Sequence, residues 1–127
     1  MNLTEEEVLK RFAQSWAHTE KQYEQWVDEY DGFNFLVPLY LYIQQMKKAG
    51  EDHFFRLGTL KRNLIFSRSS EAVLNAAQQF LEIEAREKSF IVTLKDLKKM
   101  HRQYTIKELD DERLTGILQL LKDMPVD

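Results

Sequence analysis

Apolar residues in this chain recur at steps of three or four through the first fifty positions, alternate from about residue 54 to 107, and return to helical spacing after 110. That double switch of period constrains the fold more than any other feature. A period-two stretch builds a sheet with an apolar face, and helical stretches on either side carry the apolar stripes that must cover it. Helices first, then hairpin-connected strands, then a closing helix give an α+β fold rather than a doubly wound one. The expected architecture is an N-terminal αα-hairpin, a mostly antiparallel sheet of about five strands with a short inserted helix, and a C-terminal helix. At 127 residues, 43% of them hydrophobic, the chain suits one domain spanning 1–127 with its own core.

Local signals set the elements. Thr4 and Glu7 form a capping-box pattern that opens a long helix, and Val8, Phe12, Trp16, Thr19, Tyr23, Trp26 and Tyr30 lie along one face of it. Asp31-Gly32 stops it. A second helix is expected over 35–49, with Asn34 as its cap, Pro38 in its first turn, and Leu36, Leu39, Tyr40, Ile43 and Met46 facing inward. Gly50 ends that helix. Residues 54–59 and 60–68 read as strands, and Ser69 or Ser70 caps a short helix through Gln78. Phe80–Ala85 and Ser89–Lys95 alternate cleanly. Residues 96–101 fit either a helical turn or a charged hairpin, and the last strand is expected over 102–109. Asp110 is expected to cap the final helix, whose Leu114, Ile117, Leu118 and Leu121 face inward before Pro125.

Charge is segregated along the chain. Residues 1–35 hold eight acidic and three basic side chains, residues 36–107 seven and thirteen, and residues 108–127 six and two. Acidic ends therefore flank a basic middle. Internal complementarity between helices and sheet is one account. The other is two patches of opposite sign that steer different partners. Residues with the right type for an anion-binding patch are Arg56, Lys61, Arg62, Arg68, Lys98, Lys99 and Arg102.

Chemistry-bearing patterns are few. Three histidines, His18, His53 and His101, lie far apart and show no metal-binding spacing, and no cysteine is present. Leu57-Gly58-Thr59-Leu60-Lys61 lacks the spacing of a phosphate loop, and Ser67, Ser69 and Ser70 sit in no nucleophile elbow. Glu82, Glu84 and Asp96 are the carboxylates that a metal-dependent hydrolase would use. No catalytic residue, metal ligand or cofactor is assigned. The start Met1-Asn2-Leu3-Thr4-Glu5-Glu6-Glu7 is unlike a signal peptide, and no apolar run reaches membrane-spanning length. With no cysteine, the expected setting is the cytoplasm, without a membrane.

These readings lead to a small non-catalytic protein-interaction or accessory module, of which an inhibitor or immunity-type protein is one form. Its partner-binding residues are expected to be Trp16, Tyr23, Trp26, Tyr30 and Tyr42, because large rings with polar tips are enriched at interfaces. A two-fold homodimer through the first helix pair is expected on the same ground. The alternative is a nucleic-acid or anionic-ligand binder using the basic middle, and metal-dependent hydrolysis stands third.

Overall fold

The computed structural model describes residues 3–29, 31–71 and 76–126, with residues 31–33 described by their backbone alone. The order is helix α1 (Glu5–Glu29), a 3-10 segment (Asp31–Leu36), helix α2 (Val37–Lys48), strands β1 (Arg56–Leu60), β2 (Asn63–Ser67), β3 (Phe80–Ala85), β4 (Phe90–Lys95) and β5 (Met100–Ile106), and helix α3 (Glu112–Lys122). The strands form a five-stranded antiparallel meander in the order β1-β2-β3-β4-β5. This is the α+β arrangement expected from the periods. Of the short inserted helix expected from Ser69 or Ser70 through Gln78, residues 72–75 lie outside the described residues, and the described residues on either side are bend, turn and coil rather than helix.

Register explains which side chains meet the helices. Leu57 stands opposite Phe66, Phe66 opposite Leu81, and Leu81 opposite Leu94; Leu64, Ile83 and Val92 form the next row. All of these are buried and form one core cluster with Trp16, Tyr23, Leu39, Tyr42, Ile43, Leu114, Ile117, Leu118 and Leu121. The alternation expected for β3 and β4 is therefore the core face of the sheet. Strand β2 departs from it: Ile65 and Ser67, which alternate with Leu64 and Phe66, are also buried. They lie on the second face with Phe80 and Thr93, so that face is partly covered as well.

Several boundaries differ from the sequence reading, each for a local reason. Helix α2 starts at Val37 behind Leu36, with no side-chain cap, because the preceding 3-10 segment absorbs Asn34. The cap of α3 is Asp111 rather than Asp110, its carboxylate accepting from the Arg113 N–H at 2.8 Å. Strand β5 begins at Met100 because Asp96 Oδ1 accepts from the N–H groups of Lys98 and Lys99, closing a hairpin turn. Thr4 does cap α1, accepting from the Glu7 N–H at 3.1 Å. Gly50 ends α2 in the left-handed region at φ +87°, which glycine adopts without strain.

Candidate functional site

The aromatic stripe of α1 closes one edge of the sheet. Ser15 Oγ accepts the Leu57 N–H of edge strand β1 at 3.0 Å, and Trp16 Nε1 donates to the Phe55 carbonyl at 2.7 Å. Two turns beyond Trp16, Tyr23 Oη donates to the Arg62 carbonyl at 2.8 Å, holding the β1–β2 turn. Burial pushes the Tyr23 hydroxyl pKa upward, as it does for Tyr42, where Glu51 adds to the effect. These polar tips satisfy backbone groups that an uncovered edge would leave to solvent.

Three of the five expected partner-binding residues are therefore core. Trp16 and Tyr23 are 0% exposed and Tyr42 is 7% exposed. Trp26 is half-buried against that core, with the Arg62 guanidinium 5.7 Å from its ring centroid. Tyr30 lies outside the described residues. The rings turn inward for a plain reason: a hydroxyl or indole N–H lets a large ring enter a core wherever a backbone carbonyl waits for it.

The expected anion-binding residues do not form one patch. In an antiparallel meander the β1–β2 turn and the β4–β5 turn lie at opposite ends of the sheet, so Lys61 and Arg62 are far from Lys98 and Lys99. Arg68 is spent on structure, donating to the Phe54 carbonyl and to the Met124 carbonyl. Arg56 donates to the Ser70 carbonyl at 3.1 Å. Burial lowers the pKa of both guanidiniums, and for Arg56 the neighbouring Glu71 works against the shift. Lys98, Lys99 and Arg102 remain exposed and enter no ion pair among the described residues.

The carboxylates singled out for metal chemistry each have a partner. Glu82 binds Lys95 at 2.5 Å and Asn63 at 2.9 Å, and Glu84 binds Arg86 at 2.6 Å. Asp96 Oδ2 meets His101 Nε2 at 2.8 Å; that bond, with the two turn N–H groups, lowers its pKa to about 2. Among the described residues no three acidic or histidine side chains gather as a metal site.

Two surfaces stand out among the described residues. One is the β4–β5 hairpin with the outer edge of β5, where Leu97 and Met100 are each 57% exposed. The other is a groove of about 650 Å³ between α1 and the second face of the sheet, with Arg11 and His18 on its helical wall and Gly58, Ile65 and Phe80 on its sheet side. Sequence reasoning missed the groove. Its one visible signal was Gly58, a residue without a side chain inside a strand, where a ligand or backbone approaches closely. Among the described residues no helix is long and apolar enough to cross a membrane. The chain matches no known protein family, no curated protein and no solved structure.

Proposed function

We propose that this chain is a non-catalytic accessory module that binds an acidic, extended segment of another protein along β5. The observation that carries this reading is the difference between the two sheet edges. Helix α1 covers the β1 edge, Ser15 bonding Leu57 of the strand and Trp16 and Tyr23 bonding the residues that flank it. By contrast, β5 ends the sheet with no described strand beside it, and an open edge is a template for one more strand. The charge of the edge selects the occupant. Residues 95–107 carry five basic side chains and one acidic, so a segment rich in Glu or Asp is drawn to it and a basic one repelled. An inhibitor or immunity-type protein in a reducing cytoplasm is one form of this role. Of the rings that suggested a dimer, Trp16, Tyr23 and Tyr42 are core, and the reading needs no second copy.

A synthetic peptide of alternating Val and Glu is the probe, with a Val/Lys peptide and a short single-stranded DNA as comparisons. The acidic peptide should bind and slow amide hydrogen exchange across 100–106. The double change Lys98→Glu and Lys99→Glu should weaken it roughly tenfold at low salt. Equal binding of both peptides, or protection that avoids β5, overturns the proposal. Salt-sensitive DNA binding through the same lysines would replace it with the nucleic-acid reading.

A further inference from the structure

We infer that the groove between α1 and the second face of the sheet binds a small amphipathic anion, a medium-chain carboxylate. Its head would sit at Arg11 and Arg56 and its chain over Gly58 towards Leu60. The groove reaches Leu97 of the β4–β5 hairpin, but its arginines lie on α1 and β1, so neither proposal rests on the other.

Charge fixes the head group. Arg11 Nη1 and Arg56 Nη1 both donate to the Ser70 carbonyl, at 3.2 and 3.1 Å. Two cations thus converge on one neutral oxygen, and one exposed carboxylate, Glu71, pairs with Arg11 at 2.7 Å. The cluster keeps a net positive charge. Arg56 makes a single hydrogen bond among the described residues, so most of its five donors remain for a ligand oxygen.

Shape and polarity fix the tail. Gly58 stands opposite Ile65, and a Cβ built on it meets nothing within 4 Å. The space above the strand is therefore open rather than packed. Leu60, 48% exposed, extends the apolar lining at the far end. The volume lies within the roughly 300–1,000 Å³ of small-molecule sites.

Calorimetric titration of the full chain with decanoate, below its micelle concentration, tests the inference. One saturable site is expected, with decanol binding at least about tenfold more weakly, because it cannot supply an anion to the arginines. Arg11→Gln should cost roughly tenfold in affinity. Gly58→Val is the sharper variant: valine suits a strand, no atom obstructs its Cβ, and its methyl groups would occupy the groove. It should fold at least as well as the parent and lose decanoate binding. Arg56 also holds the Ser70 loop, so the test leaves it in place. Arg102→Glu, on β5 and outside the groove lining, should bind decanoate as the parent does. Absence of saturable binding, equal affinity for decanol, or full binding by a folded Gly58→Val variant overturns the inference.

Discussion

Asp96 shows how one side chain can serve structure where its sequence context suggested chemistry. As a carboxylate two residues before a lysine it resembled a metal ligand, yet its oxygens are committed to the N–H groups of Lys98 and Lys99 and to His101. The His101 bond is the largest cause of its lowered pKa, about 2 against an ordinary 3.8. A carboxylate depressed on folding contributes stability that is fully present above its unfolded value and lost as pH falls through its folded value. The stability difference between the parent and Asp96→Asn should therefore shrink as pH falls from about 5 towards 2. Carbon-detected titration of Asp96 gives the direct check, and a midpoint near 3.8 would refute the bonding described. Nothing in the sequence distinguishes a carboxylate that closes a turn from one that binds an ion, because the distinction lies in which N–H groups the backbone turns towards it.

At the scale of elements, the periods of two and of three to four were enough to place α1, α2, α3 and the five strands of the described residues in order. What they did not fix was where strands end. Residues 54–68 read as two abutting strands, but the structure separates them by a two-residue turn, Lys61-Arg62, with both residues at positive φ, 51° and 70°. Such a turn is usually signalled by Asn-Gly, so a Lys-Arg pair hides it. Two left-handed non-glycine residues each cost about 1 kcal/mol or more, and the Arg62 contact over Trp26 returns about 0.5–1 kcal/mol. Replacing the pair by Asn-Gly should therefore raise stability by about 1 kcal/mol, read as a higher urea midpoint at unchanged slope. Tyr23 bonds the backbone carbonyl of residue 62, so its anchor survives the change. A lowered midpoint would mean that the side chains at the turn contribute more than their geometry costs.

Across the whole molecule, the layers meet at Phe66. Its ring lies 5.8 Å from Trp16, 5.6 Å from Phe55 and 6.2 Å from Tyr42, each edge-on, so one residue of β2 joins α1, the chain entering β1, and α2. The sequence places Phe66 within a strand over 60–68 and Trp16 on a helical stripe. It could not announce that they touch, because the pairing depends on how α1 lies against the β1 edge. That same placement turned expected interface rings into core and left β5 as the open edge. Phe66→Ala should cost about 3–5 kcal/mol, a large part of the roughly 5–15 kcal/mol that holds a domain of this size. If helices and sheet form one cooperative unit, the loss is shared. Far-ultraviolet circular dichroism and tryptophan fluorescence should then report a single transition at one lower midpoint for the variant, as for the parent. Separate midpoints in the variant would show that the helical layer and the sheet hold together by other contacts than these rings, and that Phe66 supports only one of them.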